Sequence, residues 1–162
     1  MSRPSLVLVL FLPAILLLTS SNEGALDPEP SPDLAPEEVI RLQVEALQTN
    51  DEPSDDAGIA TAFRFASPEN QAVTGPLERF TEMVKGPVYR DMLRFERAEY
   101  SPIVVRGEEA AQRVTLVLAD GRRVAFVFGL SRQSGGRYDG CWMTDAVIPQ
   151  EAPPERSGRD RV

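Results

Sequence analysis

The sequence predicts an α+β domain in which N-terminal helices pack on one face of a curved, four-stranded antiparallel sheet. Between residues 36 and 86, apolar residues recur with the period of a helix. From residue 94 onward the pattern changes to alternation of apolar and polar residues, which is typical of half-buried strands. Asp120-Gly121, a dipeptide favoured in tight hairpin turns, separates two of the alternating segments. Helices followed by consecutive antiparallel strands define the class.

Two helices open the predicted domain. Pro36 and the two glutamates after it begin a helix over residues 36–50, because proline suits the first helical position and acids suit the N-terminal dipole. The polar segment 51–56, DEPSDD, ends this helix. Asp55 or Asp56 can then cap a second helix over residues 55–66. The apolar stripes of both helices are interpreted as core.

Two further helical segments follow, separated by a proline-bounded corner. Ser67-Pro68 pairs a good N-cap with a proline at the first position and predicts a short helical turn to about residue 72. Gly75-Pro76 repeats the pattern and predicts a helix over residues 76–86. Because each polar residue between them has a capping or turn role available, a catalytic role for Glu69 or Asn70 is the less favoured interpretation.

Four strands are predicted after residue 94. Pro102 interrupts the first strand, which indicates an edge or a bulge because proline cannot donate to the ladder. The next two strands flank Asp120-Gly121, and the last covers residues 138–149. Strict alternation in the last strand would place two sets of side chains on opposite faces: Trp142, Thr144, Ala146 and Ile148 on one, and Cys141, Met143, Asp145 and Val147 on the other.

The N-terminal segment 1–21 predicts a signal peptide. One arginine precedes an apolar run from Leu6 to Leu18, whose 13 residues are too few to span a bilayer as a helix. Cleavage before Asn22 would give an exported protein, periplasmic or extracellular, whereas an uncleaved segment would anchor the chain in the membrane. Residues 22–35 form a proline-rich acidic linker, residues 36–149 the folded domain, and residues 150–162 a polar tail.

The charge and the residue inventory exclude several function classes. The net charge is −8, but residues 57–149 contain 12 Lys/Arg and 11 Asp/Glu, so the excess acid lies in the segments outside this range. Nucleic-acid binding is not expected, because no basic stripe with interleaved aromatic residues is present. The chain has no histidine, which excludes histidine-dependent catalytic triads and histidine metal sites. Cys141 is the single cysteine, so no intrachain disulfide can form. No cofactor, metal-binding residue or catalytic residue is predicted.

Several segments together resemble a known family. VEALQTND, AGIATAFRFASPENQ, ERFTEMVKG, VYRDML and WMTD occur in the order found in small exported bacterial proteins of the domain of unknown function 4864. The resemblance covers residues 36–149. The order of helices and strands also resembles the cone-shaped fold shared by nuclear transport factor 2, ketosteroid isomerase and scytalone dehydratase. That resemblance implies a cavity between sheet and helices, in which some relatives catalyse and others only bind.

The favoured hypothesis is a non-catalytic binding or interaction module with a small apolar cavity. Its partner would be a small apolar ligand or a protein, and a homodimer through the outer face of the sheet stays open. The pocket candidates are Phe80, Tyr89, Tyr100, Phe126 and Asp145. Two alternatives remain, a structural envelope component and an isomerase- or dehydratase-like enzyme that uses Asp/Glu and Tyr. The enzyme would need Asp145 on an apolar face that desolvates its carboxylate. If Asp145 lies instead on a solvated outer face of the sheet, its role is structural.

Overall fold

A computed structural model describes residues 27–153 as four α-helices followed by five antiparallel strands. The predicted signal peptide, the first five linker residues and most of the predicted tail lie outside the described residues. The helices are α1 Pro36–Gln48, α2 Ala57–Arg64, α3 Pro68–Thr74 and α4 Leu77–Lys85. The strands are β1 Phe95–Tyr100, β2 Val104–Arg106, β3 Glu109–Leu118, β4 Arg123–Arg132 and β5 Trp142–Gln150. Short 3₁₀ helices cover Arg90–Leu93 and Gly136–Tyr138. The predicted α+β class is confirmed.

Helices α1 and α3 begin at the prolines that the sequence predicts, whereas Asp56 precedes α2 without a side-chain capping bond. Pro36 and Pro68 occupy the first turns of α1 and α3. The Ser67 hydroxyl accepts a hydrogen bond from the Asn70 backbone N–H at 3.3 Å, which satisfies one of the free donors at the start of α3. Pro76 was predicted to be the first residue of the next helix. It is instead the residue just before α4, which begins at Leu77. These local signals set the helix boundaries to within a few residues.

The sheet has the order β1-β3-β4-β5, and β2 pairs with β3 beside β1. The single interrupted strand predicted around Pro102 is therefore two strands, and the sheet has five strands rather than four. The physical reason is local, because Pro102 has no N–H to donate and residues 101–103 belong to neither strand. Both pieces pair with the same neighbour, so the interruption does not change the layout of the sheet.

A β-bulge interrupts β5 at Asp145. Leu130 pairs with Thr144 and Gly129 pairs with Ala146, so Asp145 is an extra residue with no partner on β4. Cross-strand partners lie on the same face of a sheet, and the alternation therefore shifts by one residue after the bulge. The side assignment predicted from strict alternation is wrong there: Val147 shares a face with Thr144, and Ala146 and Ile148 lie on the opposite face.

The core lies between the first two helices and the facing side of the sheet. Its fully buried side chains include Val39, Ile40, Val44, Ile59, Phe65, Val114, Leu116 and Phe128. These positions form the apolar stripes of α1 and α2 and the inward sides of β3 and β4. The interpretation of the two helical stripes as core is confirmed. Helices α3 and α4 lie farther out, and a space remains between them and β5.

Candidate binding pocket

A pocket of about 680 Å³ opens between helices α3 and α4 and the bulged strand β5. Helices α1 and α2, the 3₁₀ helix over Arg90–Leu93 and strand β4 supply its deeper walls. The lining residues are Gln43, Leu47, Ala62, Ala66, Ser67, Glu69, Asn70, Val73, Thr74, Phe80, Met83, Val84, Tyr89, Met92, Phe128, Thr144, Asp145, Ala146, Val147 and Ile148. Most of these side chains are apolar, and none is a lysine or an arginine.

Aromatic contacts stiffen the apolar wall of the pocket. Phe80 packs against Phe63 with ring centroids 5.0 Å apart and the rings tilted by 46°. Tyr89 stacks on Phe126 with centroids 6.0 Å apart. Both distances lie in the range of favourable ring pairs. Because Phe63 belongs to α2 and Phe126 to β4, these contacts attach α4 and the following 3₁₀ helix to the rest of the domain.

Gln43 and Thr144 form a buried polar pair at the base of the pocket. The Gln43 side-chain amide donates to the Thr144 hydroxyl at 2.7 Å and to the Val39 carbonyl at 3.2 Å. Both residues are almost completely buried, with 3% and 1% of their surface exposed. A buried polar group without a partner is costly, and this pair satisfies the groups it buries while it ties α1 to β5.

The outer edge of β5 is held by hydrogen bonds from α3 and from Tyr89. The Thr144 carbonyl accepts from the Ser67 backbone N–H at 2.9 Å and from the Asn70 side-chain amide at 3.0 Å. The Thr144 N–H donates to the Phe65 carbonyl at 2.9 Å. The Tyr89 hydroxyl donates to the Val147 carbonyl at 3.1 Å. The side-chain donors of Gln43, Asn70 and Tyr89 thus hold the walls of the pocket together.

The mouth of the pocket combines exposed apolar and acidic side chains. Val73, Ile148 and Met83 are 66%, 52% and 37% exposed. Glu69, in the first turn of α3, and Asp145, at the bulge, are also exposed. Neither carboxylate takes part in an ion pair or a side-chain hydrogen bond with any residue in the described range 27–153. A bound molecule would therefore contact apolar walls inside the pocket and unpaired negative charge at its opening.

Three of the five pocket candidates from the sequence line this pocket: Phe80, Tyr89 and Asp145. Phe126 lies behind Tyr89 and supports it from the core. Tyr100 lies in β1 outside the lining, where the Arg41 guanidinium is 4.6 Å from the centre of its ring. Burial raises the pKa of the Tyr100 hydroxyl.

Asp145 and Tyr100 are therefore not brought together in one pocket. Asp145 is also exposed, so the desolvated setting that acid–base catalysis would need is absent at this residue. The sequence reasoning missed Gln43, Thr144 and Met92. A glutamine inside the apolar stripe of α1 was the available signal for Gln43, because a buried amide implies a polar partner across the core.

The remaining chemical inventory is sparse within the described residues. No group of three or more His, Cys, Asp or Glu side chains in residues 27–153 could hold a metal ion. Cys141 is buried, and burial raises the pKa of its thiol. Across the same range, none of the helices has the length and apolar character needed to cross a membrane.

The fold and the pocket define the chain as an α+β domain with an apolar pocket between its outer helices and the edge of its sheet. The chain belongs to the family described as Domain of unknown function (DUF4864), whose model matches residues 32–155. No curated protein matches the sequence.

One solved structure with a similar arrangement is a putative calcium/calmodulin dependent protein kinase II association domain from Xanthomonas campestris. It is 9% identical over 76% of this chain and 94% of its own, with a TM-score of 0.38.

Proposed function

We propose that this chain is an exported binding module that takes a small apolar ligand into the pocket beside β5 and releases it unchanged. The observation that carries the proposal is an apolar lining whose inward side-chain donors are already hydrogen-bonded within the domain. Gln43, Asn70 and Tyr89 each donate to a partner inside the domain. A ligand would gain mainly from burial of apolar surface.

The size of the pocket supports a small-molecule ligand. Its volume of about 680 Å³ falls within the range typical of sites that enclose small organic molecules. The exposed apolar side chains at the mouth, Val73, Met83 and Ile148, would leave water when a ligand enters. Each such side chain contributes about 1 kcal/mol if roughly half of its surface is covered.

Binding rather than turnover is favoured by how the titratable groups are arranged. The one tyrosine in the lining, Tyr89, donates a hydrogen bond from its hydroxyl to the Val147 carbonyl. The two carboxylates in the lining, Glu69 and Asp145, are exposed at the mouth. A carboxylate–tyrosine mechanism needs a desolvated carboxylate and a free tyrosine hydroxyl at the same bound substrate, and this arrangement supports a receptor better than a catalyst.

Export is proposed on the sequence alone. The short apolar run after Arg3 and the small residues before Asn22 match the pattern of a cleavable signal. A binding module outside the cytoplasm would meet its ligand in the periplasm or the medium.

The test uses N-phenyl-1-naphthylamine, a neutral apolar dye that brightens on leaving water, and chain purified from its native host. We expect saturable binding at one site. Val73→Gln combined with Met83→Gln should weaken binding by about tenfold, because two apolar contacts of about 1 kcal/mol each are reduced. Val105→Gln is the matched control, since Val105 is 49% exposed and lies outside the pocket lining.

Either of two results would contradict the proposal. The dye could fail to bind, or the control variant could weaken binding as much as the pocket variants. Turnover of an added carbonyl or hydroxyl substrate that disappears in Asp145→Asn would instead establish the enzyme alternative.

A further inference from the structure

The distribution of charge at the mouth of the pocket restricts which apolar ligands can enter. Twenty residues line the pocket, two of them are acidic, and none is basic. The nearby Lys85 of α4 is outside the lining and is held by Asp56, with its Nζ 2.6 Å from the carboxylate oxygen. No cation in the lining is therefore available to pair with an anionic ligand.

The two acidic residues of the lining differ from the polar groups deeper in the pocket. Gln43, Asn70 and Tyr89 are neutral and are engaged with the domain. Glu69 and Asp145 carry formal charge and face solvent with no ion-pair partner in the described part of the chain. A ligand whose apolar body fills the pocket would place its polar end at the mouth, beside these two carboxylates.

Both carboxylates are placed by local backbone features. Glu69 is the second residue of α3, directly after Pro68. Asp145 is the extra residue of the bulge in β5, and both it and its neighbour Thr144 line the pocket. Two separate elements therefore each contribute one carboxylate to the lining, and Asp145 also borders a second pocket, which Arg106 lines as well.

We propose that the pocket selects apolar ligands that carry an amine or another cationic group at one end, and that it discriminates against fatty acids and other anionic amphiphiles. This inference rests on the proposed binding function and names its ligand class. A cationic end group gains from two nearby carboxylates, while an anionic one is repelled by both and meets no compensating base.

The test compares three ligands that share a ten-carbon chain and differ only at the polar end: decylamine, decan-1-ol and decanoate. Each displaces N-phenyl-1-naphthylamine from the chain purified from its native host, below the concentration at which the ligand forms micelles. We expect decylamine to bind about tenfold more tightly than decanoate, with decanol between them. Each exposed charge contact is weak, but the carboxylates attract the amine and repel the decanoate, so the two effects add in the comparison. The difference should shrink in high salt.

Two variants assign the effect to the residues. Glu69→Gln combined with Asp145→Asn keeps the shape of the mouth and removes both charges, so the three ligands should then differ by less than about threefold. The control is Glu78→Gln combined with Glu96→Gln. Glu78 is likewise the second residue of its helix, and Glu96 is likewise an exposed extra residue at a bulge, but neither lines the pocket. The control should keep the tenfold preference.

Each outcome decides a separate point. If decanol and the dye bind but decanoate binds as tightly as decylamine, the ligand class is wrong and the binding function stands. If the preference is present but survives Glu69→Gln with Asp145→Asn, the two carboxylates do not cause it and the inference is wrong. If neither the dye nor any of the three ligands binds, the proposed function fails as well.

Discussion

Gly58 lies where helices α1 and α2 approach most closely, and replacing it with alanine should separate them. A Cβ atom at this position would lie 2.0 Å from the Ala46 carbonyl oxygen and 2.8 Å from the Cα atom of Asn50. Both atoms belong to the backbone of α1 and of the turn after it, so no side-chain rotation relieves the overlap. An ordinary carbon–oxygen contact is about 3.3 Å, and the helices must therefore move apart by more than about 1 Å.

The cost can be estimated from what this movement disturbs. Overpacking of a close contact costs about 1–3 kcal/mol. The Gly58 and Ile59 N–H groups donate to the Asn50 carbonyl and side chain at 2.9 and 3.0 Å, and weakening each bond costs about 1 kcal/mol. The better helix propensity of alanine stabilises the folded state by about 1 kcal/mol and offsets part of this loss. A net loss of about 2–4 kcal/mol in the free energy of unfolding is expected from these terms.

Urea unfolding followed by circular dichroism and by the fluorescence of Trp142, the one tryptophan in the chain, measures this loss. Gly129→Ala is the matched control, because the nearest atom to its added Cβ would be 3.9 Å away. The control should stay within about 0.5–1 kcal/mol of the parent. A loss below about 1 kcal/mol for Gly58→Ala, or one equal to that of the control, would refute the reasoning about helix contact.

Three further predictions concern the pocket, the outer face and the N-terminus. Thr144→Val should cost about 1–3 kcal/mol in urea unfolding, because it leaves the buried Gln43 amide without its 2.7 Å acceptor; an unchanged midpoint would contradict the pairing. Glu99 accepts a hydrogen bond from Arg123 at 2.6 Å, which lowers the pKa of its carboxyl below the ordinary 4.5, so this contribution to stability is complete above about pH 4.5 and is lost as the pH falls through the lowered value. Glu99→Gln should therefore flatten the acid side of the stability profile, and an unchanged profile would show that the pair contributes nothing. Mass spectrometry of the protein from its native host should give a chain that begins near Asn22, whereas an intact Met1 in the membrane fraction would contradict export.

Much of the fold could be predicted because its signals are local. Proline at the first helical position marked the starts of α1 and α3, and Asp120-Gly121 marked the turn between β3 and β4. The alternating segment after this turn forms β4, in which Phe126 and Phe128 are both buried. Each of these features depends on residues within a few positions of one another, so the sequence pattern predicts them directly.

The pocket depends on packing between distant segments, and the sequence alone could not place it. Gln43 meets Thr144 across 101 positions of the chain, and α3 reaches the edge of β5 through Asn70. The bulge at Asp145 inserts one residue against β4 and shifts the later side chains to the opposite face. The residues around Asp145 contain no signal that predicts this bulge. The sequence by itself determined the α+β class, the helix starts and the absence of histidine chemistry. Only the tertiary structure decided that Tyr100 lies outside the pocket and that Asp145 lies at its mouth, because side chains far apart in the chain come together only when helices and strands pack around a shared core.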